Sequence, residues 1–295
     1  MSNIQAVTDD AVEISFELPQ GQHLNFKSGQ YISLTKWLNG VKYSRSYSLC
    51  SLPDDSHLTI AVRDTGSGGM SSYLNTKLKI GENITVNGAF GTFAFPPDFS
   101  KITRFPNKEA TLVLIAAGSG ITPILSILKS ALKLQTFSKV KLIYCNRSID
   151  STMYLNELQQ LQQYYTPNFE IELIVSQAAK GKINNMNVSV GRIDAKLCIS
   201  LMPKHCPSNL YYLCGPITLQ TMVVNVLKNI GVDQKQIHNE QYIPHQVQPQ
   251  GECYKVIVNL ISKETKKIIV AQNQTVLSIA QQQGINLSYA CGSGY

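Results

Sequence analysis

From residue 110 onward, apolar runs of strand length alternate with helical stretches, and this alternation is the strongest constraint on the fold. The predicted strands are residues 112–116, 140–144, 171–175 and 210–213, and the predicted helices are residues 123–134, 154–164 and 217–230. Strands that are apolar throughout belong in a parallel sheet that helices cover on both faces. The pattern therefore predicts an α/β doubly wound domain over residues 107–244.

The first 106 residues show a different pattern, in which short strands are separated by turn sequences. We predict strands at residues 12–18, 31–35, 43–49, 58–62 and 84–87, with one helix near residues 71–78. Gly and Asn residues mark the turns, as in Ser28-Gly29 and Asn39-Gly40. Short strands at this spacing indicate an antiparallel β-barrel or sandwich.

A third segment follows a connector rich in proline and glutamine, residues 245–251, which we interpret as a linker. Residues 254–262 and 267–271 are predicted to form a hairpin. A helix is expected over residues 275–283, with Thr275 as a possible N-cap and Gly284 just past its end. The chain is thus predicted to be multidomain, with its last unit at residues 252–295.

The composition limits the classes of partner and compartment. The formal net charge of +7 favours anionic ligands, although an ordinary basic surface explains it equally well. No dense Lys/Arg run with interleaved aromatic residues occurs, so we expect no nucleic-acid partner. Gly118, Gly120 and Pro123 interrupt the apolar residues 111–128, so we expect no membrane span. The seven cysteines lack any Cys-x-x-Cys spacing and the N-terminus lacks a secretory signal, which favours the cytoplasm.

One strand carries side chains suited to a ligand that has both phosphate groups and an aromatic ring. In residues 43–49 strand alternation places Tyr43, Arg45 and Tyr47 on one face and the intervening serines, among them Ser48, on the other. A guanidinium pairs with phosphate oxygens, and a tyrosine ring stacks on a heterocycle. The alternative is an exposed strand face with ordinary aromatic and basic residues.

Two glycine-containing sequences follow in the first domain. Gly69-Met70-Ser71-Ser72 opens the predicted helix, where exposed backbone N–H groups can bind phosphate and Ser72 adds a hydroxyl. The alternative is a glycine turn with a serine N-cap. Residues 88–93 (Gly-Ala-Phe-Gly-Thr-Phe) form either a bend that lines a ligand ring or a barrel corner with Phe90 and Phe93 in the core.

The second domain begins with a glycine turn between a strand and a helix. Gly118-Ser119-Gly120-Ile121-Thr122-Pro123 stands where a dinucleotide pyrophosphate binds in doubly wound folds, although the third glycine of the usual fingerprint is missing. Arg147 follows the second strand, where an arginine suits a ribose 2′-phosphate. The residue thus favours NADPH over NADH, unless it is merely solvated.

The order of these motifs resembles the ferredoxin–NADP reductase superfamily. The matching elements are R-x-Y-S at residues 45–48, G-x-x-S at residues 69–72, G-x-x-G-x-F at residues 88–93, and the parallel domain behind them. The resemblance implies that the barrel holds FAD. It assigns Arg45 to the flavin pyrophosphate, Tyr47 to the ring face and Ser48 to the flavin N5 edge. Gly69, Ser71 and Ser72 would hold the pyrophosphate at the helix start.

The resemblance extends through the second domain. Its G-x-G-x-T-P form implies NAD(P)H binding by Gly118, Gly120, Thr122 and Pro123. Cys214-Gly215-Pro216 matches the family's C-G-P element beside the nicotinamide, with Cys214 near the hydride path, although a buried structural cysteine is a strong alternative. Glu240 matches the acid that closes the reductase core and that helps to position or protonate groups near the flavin.

The last unit resembles a plant-type [2Fe–2S] ferredoxin, which has a β-grasp fold. Its ligand motif is Cys-x4-Cys-x2-Cys, and here Cys291 is followed by four residues up to Tyr295. One thiolate cannot hold a cluster that needs four. We therefore expect this sequence to carry an incomplete ferredoxin-like domain, with Cys291 a metal ligand only if the motif continues beyond Tyr295.

Together these features predict an FAD-dependent NAD(P)H reductase. Electrons would pass from NADPH through FAD to a [2Fe–2S] centre and on to an oxygenase or another one-electron acceptor. One alternative is a reductase for a haem or free-flavin acceptor. The other is a non-catalytic, nucleotide-binding subunit that retains the fold.

Overall fold

The computed structural model describes residues 1–66, 69–95, 110–177, 186–240, 252–259 and 265–272, together with Val276, Ile279, Ala280, Gln283 and Ile285. The chain divides into two compact units, Met1–Gln241 and Tyr242–Tyr295. Both predicted cofactor domains lie in the first unit. Among the described residues, no helix is both long enough and apolar enough to cross a bilayer.

Six strands and one helix form the N-terminal part of the first unit. The elements are β1 (Asn3–Thr8), β2 (Ala11–Phe16), β3 (Tyr31–Leu38), β4 (Val41–Ser48), β5 (Leu58–Arg63), α1 (Gly69–Thr76) and β6 (Thr85–Phe90). The strands pair antiparallel in two sheets, with the orders β1-β2-β5 and β4-β3-β6. A bridge between Leu49 and Ile60 connects the two sheets, as a barrel requires.

Strand alternation decides which side chains of β4 reach the barrel core. Tyr47 and Arg45 pair with Ile32 and Leu34, whose side chains are fully buried. Hydroxyl groups occupy the opposite face, where Ser44 contacts Ser33 at 3.0 Å and Thr35 at 3.1 Å. The predicted separation of the aromatic and serine faces is therefore confirmed.

A parallel six-stranded sheet forms the rest of the first unit. Its strands are β7 (Thr111–Ala117), β8 (Lys139–Asn146), β9 (Phe169–Val175), β10 (Asn187–Val190), β11 (Leu210–Cys214) and β12 (Ile237–Glu240). Its helices are α2 (Ile121–Leu134), α3 (Leu155–Tyr165), α4 (Ala195–Leu201) and α5 (Ile217–Asn229). The strand order is β10-β9-β8-β7-β11-β12, and buried apolar clusters cover both faces, as a doubly wound fold requires.

This strand order locates the ligand crevice. The chain leaves β7 for β8 on one side, and later returns to β11 on the other side of β7. Ligands of open parallel sheets bind at such a switch point, outside the carboxyl ends of the strands. The segment that follows β7 is Gly118–Gly120, a single turn of 3₁₀ helix.

Among the described residues of the first unit, three strands (β1, β10 and β12), the helix α4 and a short 3₁₀ helix at Gln234–Gln236 were not predicted from the sequence. The strands β10 and β12 have only four residues each and are at the two edges of the sheet, so they lack continuous apolar runs. The interpretation of Phe90 as a core residue is wrong, because its side chain is 46% exposed and lies beside Tyr31. Phe93, in contrast, is buried.

The described part of the second unit forms an antiparallel hairpin, β13 (Cys253–Asn259) with β14 (Thr265–Ala271). Ile268, Val270, Ile279, Ala280 and Ile285 form its buried cluster. The hairpin agrees with the predicted one to within a few residues. The predicted linker, Thr275, Gly284 and Cys291 lie outside the described residues, and the β-grasp fold of this unit stays a prediction.

Candidate functional site

The R-x-Y-S side chains lie on the last half of β4. The guanidinium of Arg45 lies 5.8 Å from the ring centroid of Tyr43, and its Nη1 donates to the carbonyl oxygen of Ser44 at 2.9 Å. Tyr47 packs against the barrel core, and burial raises the pKa of its hydroxyl. Ser48, at the end of the strand, is 4% exposed. These residues place a cation and an aromatic ring side by side at the edge of the barrel.

Helix α1 begins directly beside this strand. Gly69 has φ +76°, and a Cβ atom on it would come within 3.2 Å of the Tyr43 ring. A side chain at this position would be strained and would press on the ring, so glycine lets the helix start approach β4 closely. The start of α1 thus packs on the same ring that the Arg45 guanidinium approaches to 5.8 Å.

The two serines of this helix start already have protein partners. Ser71 contacts the hydroxyl of Thr65 at 3.1 Å, and Ser72 donates to Oδ1 of Asp64 at 2.6 Å. The same carboxylate oxygen accepts the N–H of Gly66 at 2.9 Å. The Ser72 hydrogen bond is the main cause of a lowered pKa of the Asp64 carboxyl. Ser72 therefore orders the turn before α1, and its hydroxyl would have to rotate to donate to a ligand.

The Gly118–Gly120 turn packs against the carboxyl end of β11. A Cβ atom on Gly120 would collide with the carbonyl oxygen of Cys214 and lie 2.7 Å from its carbonyl carbon. A Cβ atom on Gly215 would lie 3.0 Å from Cβ of Ala117. Both glycines are thus required by close contact between the two strand ends. This contact places the glycine turn directly beside Cys214-Gly215-Pro216.

Side chains of the α/β domain hold the same turn in place. The hydroxyl of buried Tyr144 donates to the carbonyl oxygen of Gly118 at 3.0 Å. Thr122, which is 4% exposed, donates to the carbonyl oxygen of Ser119 at 3.0 Å, and Pro123 is buried one residue further along α2. The Thr122 hydroxyl is therefore engaged within the turn.

Arg63 joins the barrel to this turn, and the sequence analysis did not identify it. At the end of β5, its Nη2 donates to the carbonyl oxygen of Ser151 at 2.5 Å, and its Nε lies 3.2 Å from Oδ1 of Asp10. A Cβ atom on Gly118 would lie 3.4 Å from Nη1 of Arg63. A positive charge from the barrel therefore lies against the glycine turn. The only signal in the sequence was a basic residue at a strand end.

Further contacts attach the end of β4 to the α/β domain. Ser126 on α2 donates to the carbonyl oxygen of Ser51 at 2.7 Å, three residues past Ser48. The hydroxyl of Tyr212 on β11 likewise donates to the carbonyl oxygen of Ala94, past the end of β6, at 3.3 Å. These hydrogen bonds bring the barrel edge that carries Ser48 next to the carboxyl edge of the parallel sheet.

Arg147 occupies the carboxyl end of β8. Its side chain is exposed, and its carbonyl oxygen accepts the N–H of Gln177 at 2.9 Å, which connects it to the segment after β9. The residue is thus at the ligand edge of the sheet, where a ribose is bound in folds of this class.

Cys214 and Glu240 face each other across the ends of β11 and β12. They are register partners in the parallel ladder, as are Tyr212 and His238, whose rings stack at 4.5 Å. Burial raises the pKa of the Glu240 carboxyl to about 7, and its Oε2 is buried without a hydrogen-bond partner among the described residues. Burial also lowers the pKa of His238. A carboxyl group with a pKa near neutral can hold or release a proton at this edge.

Two family models match the chain in the order of its domains. The model of an oxidoreductase FAD-binding domain matches residues 1–95, and that of an oxidoreductase NAD-binding domain matches residues 114–225. NADH-cytochrome b5 reductase 1 of Cryptococcus neoformans var. neoformans serotype D is 30% identical over 226 residues, which cover 73% of this chain and 72% of that protein. The chain belongs to the ferredoxin–NADP reductase superfamily.

Other relatives of this reductase extend the comparison. One component of the 1,2-phenylacetyl-CoA epoxidase of Escherichia coli K12 is 28% identical over 305 residues, covering 100% of this chain and 83% of that protein. The ferredoxin NADP+ reductase of Neisseria gonorrhoeae, solved with FAD and NADP, shares the fold with a TM-score of 0.66 and 23% identity, covering 80% of this chain and 94% of that one. The reductase is thus an NAD(P)H-dependent flavin oxidoreductase.

The buried acid makes the stability of the reductase depend on pH. Because the pKa of Glu240 is about 7 in the fold, against an ordinary value of 4.5, the folded state retains a proton that the unfolded state releases. Stability is therefore lost as the pH rises from 4.5 to 7. We expect Glu240→Gln to raise the free energy of unfolding at pH 8 by about 3 kcal/mol at most, and to change it little at pH 4.5.

Urea unfolding of the variant and the wild type at both pH values measures this difference. Asp9→Asn, which removes an exposed carboxylate, is the control for the loss of one acidic side chain. An equal effect of Glu240→Gln at both pH values would show that the carboxyl ionises normally in the fold.

Proposed function

We propose that this reductase takes electrons from NADPH into FAD and delivers them singly to a protein acceptor of the oxygenase type. The observation that carries the proposal is the packing of Gly120 on Cys214. It brings the dinucleotide turn, the C-G-P element and Glu240 to one edge of the sheet, next to the barrel edge that ends at Ser48.

The barrel residues fit FAD, because Gly69 lets the start of α1 approach β4 closely, beside a cation and an aromatic ring. We assign Arg45 and the N–H groups at Gly69, Ser71 and Ser72 to the pyrophosphate. Tyr47 would stack on the isoalloxazine ring, and Ser48 would hydrogen-bond its N5 edge. The partnered hydroxyl of Ser72 makes its backbone the more direct contact.

The α/β residues fit a dinucleotide by the same criterion, since a side chain at Gly120 would collide with the carbonyl of Cys214 and one at Gly215 would crowd Ala117. We assign Gly118, Gly120, Thr122 and Pro123 to the turn around the pyrophosphate, with Arg63 adding positive charge from the barrel. Gly215 and Pro216, with Cys214, would border the nicotinamide. Arg147 would bind the 2′-phosphate.

Bound FAD supplies the chemistry that links a two-electron donor to one-electron acceptors. The protein positions the two rings: Tyr47 and Ser48 from the barrel, and Cys214 from the sheet. Glu240 holds a proton at its carboxyl near neutral pH, beside Cys214. The catalytic residues in this proposal are Tyr47, Ser48, Cys214 and Glu240.

Acceptor assays test this proposal against its two alternatives. The purified chain, loaded with FAD, should oxidise NADPH rapidly with ferricyanide. A reductase for a haem or free-flavin acceptor would turn over equally well with cytochrome c or free flavin. A non-catalytic subunit would bind the nucleotide without oxidising it with any acceptor, and that result would overturn the proposal.

The preference for NADPH should depend on Arg147. We expect Arg147→Asp to lower kcat/KM for NADPH by about 10- to 100-fold, because a carboxylate replaces the partner of the 2′-phosphate, and to change kcat/KM for NADH much less. Steady-state kinetics with both nucleotides measures the ratio. Lys139→Asp, at the opposite end of β8, is the control for a change of net charge. An equal change in kcat/KM for both nucleotides would show that Arg147 does not bind the 2′-phosphate.

We extend the proposal to a [2Fe–2S] centre as the one-electron exit, with Cys291 as a ligand only in a form whose motif continues past Tyr295. Its support is the ferredoxin-like sequence of the second unit, together with the Escherichia coli epoxidase component that matches the whole of this chain. We also propose a cytoplasmic location, on the basis of the scattered cysteines.

A further inference from the structure

One buried amide connects the ends of the two strands that carry Cys214 and Glu240. Gln220, in the first turn of α5, is 2% exposed. Its Nε2 donates to the carbonyl oxygen of Gly215 at 2.7 Å and to that of Glu240 at 2.6 Å. Its Oε1 accepts Nδ2 of Asn239 at 3.1 Å. Since both carbonyls require a donor, the chemistry fixes the orientation of the amide.

These hydrogen bonds begin where the ladder between β11 and β12 ends. The last register pair is Cys214 with Glu240, and after Gly215 the chain turns into α5. Without the Gln220 donor, these two part-buried carbonyls of Gly215 and Glu240 would each lose a hydrogen bond, which is costly. The Gln220 side chain replaces the next backbone hydrogen bond of the ladder and connects the ends of β11 and β12.

The Gln220 amide and the functional pair lie on opposite faces of the sheet. Cys214 belongs to the cluster under α2, whereas Val223, Val226 and Leu227 of α5 belong to the cluster on the other face. Asn239 reaches Gln220 on the α5 side, and alternation places its neighbour Glu240 on the side of Cys214. A contact on one face therefore sets the position of the carboxyl group on the other.

We propose that Gln220 is a positioning residue, which holds the Cys214-Gly215-Pro216 turn and Glu240 at the separation that flavin reduction requires. The inference rests on the function proposed above and adds a residue outside its motifs. Gln220 would touch neither ring and would act through the backbone of Gly215 and Glu240. Its replacement should therefore slow the reaction without weakening the binding of FAD.

The side chain at residue 220 must donate two hydrogen bonds, one to each carbonyl, and few other residues can do this. Leucine leaves both carbonyls without a donor, and glutamate places a carboxylate against them. Either change frees the end of β12, so water gains access to the Glu240 carboxyl.

The titratable groups on the same face of the sheet as the Glu240 carboxyl are Cys214 and Tyr212 on β11 and His238 on β12. The nearest described part of α5 contributes the neutral Gln220.

The test compares Gln220→Leu with the matched control Thr221→Val, an exposed neighbour on the same helix, in the full chain loaded with FAD. We expect Gln220→Leu to lower the rate of flavin reduction at saturating NADPH about tenfold, with the dissociation constant of NADP+ and the FAD content unchanged. Carbon-13 NMR should show the pKa of the Glu240 carboxyl falling from about 7 towards its ordinary value. Thr221→Val should match the wild type in every measurement.

Asn239→Ala provides a second variant, in case Gln220→Leu folds poorly. Because Asn239 is exposed and only orients the amide, we expect a smaller decrease in the reduction rate in the same direction. Normal reduction rates and an unchanged Glu240 pKa in both variants would overturn the inference. Loss of FAD together with the rate would assign Gln220 a purely structural role, which also overturns it. A wild type that NADPH does not reduce would instead refute the proposed function.

Discussion

Alanine at position 120 is expected to reduce kcat/KM for NADPH by about 10- to 100-fold while FAD stays bound. Gly120 has φ −61°, a conformation that alanine adopts freely, so the backbone itself would not be strained. The added methyl group would instead collide with the carbonyl of Cys214 and force the glycine turn away from the C-G-P element. Both colliding groups belong to the α/β domain, whereas the residues assigned to FAD belong to the barrel, so flavin binding should persist.

The measurement is NADPH-dependent reduction of ferricyanide, with FAD content determined on the same preparation. Gly231→Ala is the control, because its Cβ atom would meet nothing within 4 Å, and its φ of +86° costs only local backbone strain. Full activity of Gly120→Ala would show that the two strand ends do not need close contact. Loss of FAD as well as activity would show that Gly120→Ala disrupts the fold as a whole and not only the glycine turn.

Leucine in place of Arg45 is expected to weaken FAD binding by about 10- to 100-fold, because losing one charge-assisted hydrogen bond lowers an affinity by about that factor. The guanidinium lies 5.8 Å from the centre of the Tyr43 ring, on which the start of α1 also packs, so a pyrophosphate at this helix start would find a cationic partner. Arg45→Lys should have an intermediate effect, because lysine keeps the charge but loses the forked geometry.

Fluorescence titration of the flavin-free protein with FAD measures this affinity. Lys42→Leu is a matched control, since it removes a positive charge from the same strand at an exposed position on the opposite face. An affinity unchanged by Arg45→Leu would contradict the assignment of this strand to the pyrophosphate. An equal loss in Lys42→Leu would show that net charge alone attracts the ligand.

The sequence predicted the parts of this fold that repeat a simple pattern. The central strands of the parallel sheet are continuous apolar runs, and β4 alternates between aromatic and serine residues, so both were predictable. The edge strands β10 and β12 were not, because four residues with one face uncovered show no clear period. Glu240 was found only through its resemblance to a family motif.

Two residues of the candidate site escaped prediction for a different physical reason. Arg63 contacts Ser151, 88 residues away, and Gln220 contacts Glu240, 20 residues away. A single polar residue at a strand end or in an apolar helix has no periodic signal, and only the folded chain shows its partners. Gly120 was predicted as part of a phosphate turn, whereas the structure adds a second requirement, the carbonyl of Cys214.

Anaerobic titration of the purified full chain with NADPH tests the proposed electron transfer most directly. We predict a yellow protein with about one FAD per chain, whose flavin absorbance is bleached by about one equivalent of NADPH and returns on addition of ferricyanide. A colourless protein that FAD cannot reconstitute, or a bound flavin that neither NADPH nor NADH bleaches, would contradict it.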